Sequence, residues 1–164
     1  QAEKLLALGM HKQIVNRLLE PFMWITTIIS ATEWENFFRL RRHHDAQPEI
    51  AHIANMIYDA VEASTPTRRE WHLPWVQADE EALPLETKLK ISTARSARVS
   101  YLTHDGKRDI EKDIALYEHL ITGSGLGHWS PMEHSAQAMD TVVQSGNFVG
   151  WRQYRKTFSN ECPT

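Results

Sequence analysis

Residues 128–134 read HWSPMEH, and the character of the chain changes at this point. Upstream, Ile110, Ile114, Tyr117 and Ile121 recur with helical spacing and predict a helix over 108–121. Gly123, Gly125 and Gly127 then break the pattern just before the motif. Downstream, Thr141 to Val149 is strand-like, and Trp151 to Lys156 is short, basic and aromatic. A helix before the motif, a proline turn inside it and a strand after it place the chain in the α+β class, with more helix than strand.

Taken alone, HWSPMEH supports three readings. His and Glu are zinc ligands, but the spacing is not that of H-E-x-x-H, and Pro131 breaks the register that would stack ligands on one helix face. An acid–base pair is the second. The third is a proline turn whose polar groups satisfy nearby backbone. His43-His44-Asp45 raises the metal question again, but adjacent helical residues point about 100° apart, which favours a solvated helix end. The single cysteine, Cys162, sits two residues from the end of the chain with nothing to orient it. G-x-S-x-G, P-loop and G-x-G-x-x-G patterns are absent, so enzymatic chemistry in this chain points to a bound cofactor.

Working outward, the first 20 residues carry an apolar stripe at Leu5, Leu8, Ile14, Leu18 and Leu19, with Pro21 past its end. They predict one helix over 2–20, or two shorter ones divided at Gly9. Met23 to Ser30 (MWITTIIS) is rich in β-branched residues and reads as a buried strand. Thr32-Glu-Trp-Glu35 has capping-box spacing and is expected to open a helix holding Asn36 to Arg42. Pro48 and Glu49 resemble the first turn of a helix with Ile50, Ile53, Ile57 and Val61 on one face. Ser64 to Pro84 reads as a long connection that Trp71 and Trp75 pack down, and a helix is expected over 85–98.

Composition bounds the function classes. The chain has 164 residues, 41% apolar and 24% charged, with six tryptophans, as expected of a soluble globular protein. The longest apolar run, Phe22 to Ile29, is far short of the ~20 residues a membrane helix needs. A net charge of −3 gives no global attraction to nucleic acid or anionic lipid, so neither is an expected partner. One cysteine rules out an internal disulfide framework and leans towards a reducing compartment. The first residue is Gln1 rather than Met, so a segment upstream is expected. Arginines cluster at Arg39, Arg41 and Arg42, at Arg95 and Arg98, and at Arg152 and Arg155. With Ser100 and Ser130 they are candidates to line an anion pocket.

Four stretches in combination resemble the flavin-dependent thymidylate synthases. They are KQIVNRLLEP (Lys12 to Pro21), NFFRLR (Asn36 to Arg41), ARSARVSY (Ala94 to Tyr101) and HWSPMEH, with DAQPEI (Asp45 to Ile50) extending the second. The motif order is rotated relative to the common family order, as in phage-type members, because NFFRLR precedes the other two family motifs. The family's R-H-R-x-x-S-x-N loop is not present. GWRQYRK resembles the run leading into it, but continues as TFSNECPT, and the loop is expected upstream of Gln1. Asp45 stands where the family usually has histidine, and Ser96 where it often has cysteine.

The resemblance implies one domain over 1–164, with a central mostly antiparallel sheet flanked by helices. It implies reductive methylation of dUMP to dTMP, with methylenetetrahydrofolate giving the carbon and NADPH reducing FAD. It also implies a homotetramer with shared active sites, cytoplasmic in a bacterial or phage-infected cell. Carried over by motif, Asn36, Ser100, Ser130 and Glu133 would contact flavin, and His128 would lie at the flavin and folate face. Arg41 would sit at the uracil ring, with Arg17, Gln153 and Arg155 near the nucleotide; Arg41 and His128 are the catalytic candidates. Arg17 is offset by one residue within its motif. His134 is expected to be structural, held by the turn. Alternatives are a related flavin enzyme acting on another pyrimidine nucleotide, a non-catalytic relative, and a metal-dependent hydrolase using His43, His44, His128 and Glu133.

Overall fold

Gly9 takes φ +80°, a conformation open to glycine at little cost, and this ends the first helix early. Its N–H donates to Leu6 O (2.9 Å) while Met10 N–H donates to Leu5 O (3.1 Å), the paired bonds of a Schellman cap. The N-terminal stripe is therefore two helices, α1 (Ala2–Ala7) and α2 (Lys12–Asn16). The computed structural model describes residues 1–99, 108–123 and 127–159. Ser100, Tyr101 and Cys162 lie outside the described residues.

The strand expected over Met23 to Ser30 does not form; these residues have no regular secondary structure and join no sheet. Trp24 is fully exposed, and Met23, Ile25 and Ile29 are also exposed. β-Branched residues favour strands where a neighbour offers a ladder and a packing face, and no strand among the described residues pairs with this stretch. The expected capping box at Thr32 is likewise absent. α3 (Glu35–Arg41) starts after Trp34 without a side-chain cap. Thr32 Oγ1 instead accepts from Val149 N–H (2.8 Å), tying the segment before α3 to a distant hairpin. A capping box does occur where none was read, at Gln77 and Glu80, in a 3-10 turn over Ala78–Glu80.

α4 (Pro48–Glu62) begins at its proline as expected, and Ala54 is its fully buried residue. α3 and α4 meet through Phe38 and Tyr58, edge to face at 5.2 Å, with Arg42 lying 3.5 Å over the Tyr58 ring. α5 (Leu85–Ala97) is buried over Ile91–Ser96 and packs on α6 (Ile110–Thr122). The 3-10 turn over Ser130–Glu133 closes this core: Tyr117, Leu120, Trp129 and Met132 form one buried cluster. Burying a side chain such as Met132 contributes about 1.5–3 kcal/mol.

Three short strands, β1 (Trp71–His72), β2 (Ala136–Ala138) and β5 (Trp151–Gln153), form an antiparallel sheet in the order β1-β2-β5. His72, Ala136 and Gln153 stand in one row of it, and Trp71, Gln137 and Arg152 in the next. The region read as one strand over 141–149 is a hairpin of β3 (Gln144–Ser145) and β4 (Phe148–Val149). Gly146 turns it at φ +60°, the first position of a type II′ turn. The class is mixed helix and strand with small antiparallel sheets, in agreement with α+β.

Among the described residues, the buried charges join α5, α6 and the 3-10 turn at Ala78–Glu80. Arg95 forms a bidentate pair with Glu80 (2.8 Å twice), donates to Asp113 (2.8 Å) and reaches Trp75 O (2.9 Å). Arg95, Glu80 and Asp113 are 6%, 5% and 0% exposed. Arg98 also donates to Asp113. Arg95 is thus a tie between elements rather than a wall of an anion pocket, which corrects the sequence expectation for this residue.

Candidate functional site

Three of the residues assigned by resemblance are brought together at the end of HWSPMEH. The turn over Ser130–Glu133 has Pro131 at its start, just after Ser130, where a fixed φ suits a first turn, and its own Pro131 and Met132 are buried. Glu133 is thereby half-exposed, and Arg155, from the 3-10 turn over Tyr154–Thr157, donates to its carboxylate. Gln153, 3% exposed, donates from Nε2 to Glu133 O (3.2 Å), and its own N–H is held by Ser145 Oγ (3.0 Å). Gly146 makes this possible: a Cβ there would come within 2.6 Å of the Gln153 amide. The hairpin turn and the site side chain are therefore packed into one unit.

His128 and Ser130 stand beside this unit, both exposed, and neither ring nor hydroxyl has a hydrogen-bond partner among the described residues. The His128 backbone N–H donates to Leu120 O (2.7 Å), which fixes the loop that presents the ring. His134 is held from outside the turn. Its Nδ1 lies 3.2 Å from Ser30 Oγ, a bond across 104 residues, and burial pushes the imidazole below its usual range. Sequence reasoning missed Ser30, because no local pattern reports a contact of that span. It also missed Tyr154, whose hydroxyl bonds Tyr117 (2.8 Å) and anchors the start of the Arg155 turn on α6.

The remaining assigned residues lie elsewhere. Asn36, in the first turn of α3, is exposed and accepts from Arg39 (2.8 Å). Arg41 ends α3, exposed and with no hydrogen-bond or ion-pair partner among the described residues. Arg17 is exposed at the C-cap of α2. No hydrogen bond or ion pair joins these three to Glu133, Gln153 or Arg155 among the described residues.

Residues 4–67 match the family described as thymidylate synthase complementing protein. The matched segment contains KQIVNRLLEP and NFFRLR, so the resemblance to the flavin-dependent thymidylate synthases holds there independently of the other motifs. ARSARVSY and HWSPMEH lie beyond it. No curated protein and no solved structure matches the chain.

Among the described residues, metal ligation has one geometric candidate. His43, His44 and Asp45 have ligand atoms within 4.8 Å of one another, all three residues exposed. The Asp45 carboxylate reaches His43 Nδ1 at 3.4 Å and His44 Nε2 at 3.3 Å, contacts that need no ion. His128 and Glu133 are not part of this group, so the hydrolase constellation is not assembled among the described residues. No helix of the described residues is long and apolar enough to cross a membrane.

Proposed function

We propose that the protein is a flavin-dependent thymidylate synthase, converting dUMP to dTMP by reductive methylation with methylenetetrahydrofolate and NADPH. The match over residues 4–67 carries this reading. It is supported by the Glu133–Gln153–Arg155 unit, which unites two stretches outside the matched segment that the same resemblance singles out.

The donor set suits a flavin. His128 offers a flat ring and a donor, Ser130 a free hydroxyl, and Glu133 a carboxylate already oriented by Arg155. With Asn36 and Ser100 these are the side chains that would hold FAD, which when bound supplies the carbon and hydride chemistry. The chain's own contributions are binding and orientation. Gln153 and Arg155 would position the nucleotide, with Arg17 also near it. Arg41 would donate to the uracil oxygens, stabilising charge that grows on the ring as its carbon attacks. His128 would orient the folate.

Asn36, Arg41 and Arg17 are exposed and not joined to the Glu133 unit, which favours completion of the site by another copy. A homotetramer with shared sites would supply that. The exposed apolar side chains of residues 6–29, among them Leu8, Phe22 and Trp24, suit such an interface. The proposed fold is the family's helix-flanked sheet, and the proposed location is the cytoplasm.

The test is the visible spectrum of the purified protein with and without added FAD, followed by dTMP formation from dUMP, methylenetetrahydrofolate and NADPH. Flavin binding with turnover is expected. A protein that neither carries nor takes up flavin overturns the reading. Flavin binding with turnover of a different pyrimidine nucleotide would redirect it to a related enzyme.

A further inference from the structure

A cavity of about 810 Å3 opens between residues 29–34, the 67–76 stretch that carries β1, the start of α5 and the hairpin at Phe148. Its size is that of a small-molecule site, roughly 300–1,000 Å3. Trp34, Trp71, Phe148 and Trp151 supply aromatic walls. Trp34 is fixed in place: its Nε1 donates to Ala31 O (2.9 Å), it stacks on Phe38 at 5.9 Å, and Phe37 meets it edge-on at 5.7 Å. A ring already held this way loses little freedom when a ligand stacks on it.

Two cations converge on one carboxylate in the same lining. Arg69 Nη1 donates to Glu81 Oε1 (2.7 Å), and Lys88 Nζ lies 3.4 Å from Glu81 Oε2 and 3.0 Å from Glu81 O. Arg69 Nε reaches Thr67 Oγ1 at 3.4 Å, and its Nη2 has no partner among the described residues. Glu81 therefore balances one cation of the two. Glu70, also in the lining, has no ion-pair partner among the described residues and opposes an incoming anion.

We propose that this cavity binds a planar aromatic ligand carrying one anionic group, its ring against the tryptophan walls and its anion at Arg69 and Lys88. Planar fit comes from Trp34, Trp71 and Trp151, and the anchor for the anion is the Arg69 Nη2 donor that Glu81 leaves unused, with Lys88 beside it. Glu70 brings the formal charge of these four side chains to zero, so the anion is held by directed hydrogen bonds and not by net charge. None of the side chains assigned above to flavin, folate or nucleotide lines the cavity, so this ligand would be held independently of theirs.

Calorimetric titration with three probes tests it: 2-naphthalenesulfonate, the neutral 2-naphthol, and methanesulfonate, which has the charge without the ring. One saturable site is expected for the naphthalenesulfonate, with 2-naphthol roughly tenfold weaker and methanesulfonate not binding. Arg69→Gln should weaken the sulfonate by roughly the same factor and leave 2-naphthol unchanged. Glu70→Gln should tighten the sulfonate, and Trp34→Leu should weaken both aromatic probes. Equal affinities of the charged and neutral naphthalenes for the unaltered protein overturn the proposal, and that comparison needs no variant to fold. So does unchanged binding in Trp34→Leu, which would place the probes on the exposed apolar surface instead.

Discussion

The Arg155 guanidinium donates to the Glu133 carboxylate across 22 residues of sequence, and so joins GWRQYRK to HWSPMEH. Both side chains are about one-third exposed or less, at 27% and 35%, which makes the pair a modest contributor to folding, under about 1 kcal/mol. Its orienting role is the more consequential one, since Gln153 holds the same residue by its carbonyl. Glu133→Gln should therefore shift stability by about 1 kcal/mol or less while lowering flavin content several-fold. Arg155→Gln should do the same, and the two changes together should cost less than their sum. Full flavin occupancy in Glu133→Gln, read from the visible spectrum against protein concentration, would remove Glu133 from the cofactor site.

Arg95 is a different kind of arginine. It neutralises two buried carboxylates, and its hydrogen bond to Glu80 holds that carboxyl below the usual range. Replacing it leaves Glu80 without its bidentate partner and Asp113 with Arg98 alone. Arg95→Met should cost about 3–5 kcal/mol, the penalty for breaking a buried pair from one side. Urea denaturation measures it directly. A loss below about 1 kcal/mol would mean that water reaches Glu80 and Asp113 freely.

The contrast between these two arginines shows how far local pattern reaches. Helices α4, α5 and α6 were readable because their starts and periodicity are written in consecutive residues: Pro48 at a first turn, and Ile110, Ile114 and Tyr117 on one face. The glycine at position 9 was readable as a break for the same reason. What could not be read depends on partners far away in sequence. Met23 to Ser30 has strand composition, yet composition does not supply a neighbouring strand. Thr32 has cap spacing, yet Val149 competes for its oxygen and wins. Arg95 and Arg155 look alike in the sequence, and only the fold separates the buried tie from the half-exposed one. Of the assigned site residues, the fold joins Glu133, Gln153 and Arg155, whose segments meet through the sheet and the Tyr117–Tyr154 bond.

Acid should loosen the contact between the segment before α3 and the HWSPMEH turn. Burial lowers the His134 pKa, with Glu133 opposing the shift and His72 adding to it. The folded protein thus prefers neutral imidazole. Its contribution is complete above the unfolded value of about 6.5 and is lost as pH falls through the lower folded value. Chemical denaturation at pH 7.5 and pH 5.0 should show lower stability at the acid end. His134→Asn keeps a polar partner for Ser30 Oγ and removes the titration, so its stability should vary less over that interval. His72, also lowered by burial, would leave a residual slope of the same sign. An identical slope in protein and variant would assign the acid sensitivity to other groups.

Arg41 gives the sharpest test of the proposed chemistry. It occupies the last residue of α3, exposed, with no ion pair or hydrogen bond among the described residues. The helix beneath it is held by Phe37 and Phe38 against Trp34, and by Phe38 against Tyr58. The guanidinium therefore extends from a firm base and is not consumed by any internal contact. Removing it should cost the fold about half a kcal/mol or less, as for other surface changes, so loss of activity can be read without loss of structure. At a uracil ring, its planar fork would donate to oxygens on which negative charge grows, an interaction worth about 3–4 kcal/mol for one preorganised donor. Lysine keeps the charge but not the fork. Arg41→Lys should thus be nearly as damaging to kcat/KM for dUMP as Arg41→Ala, with flavin content unchanged in both. If Arg41→Ala turns over dUMP at the rate of the unaltered protein, the residue is a solvated helix end, and the nucleotide must be recognised elsewhere.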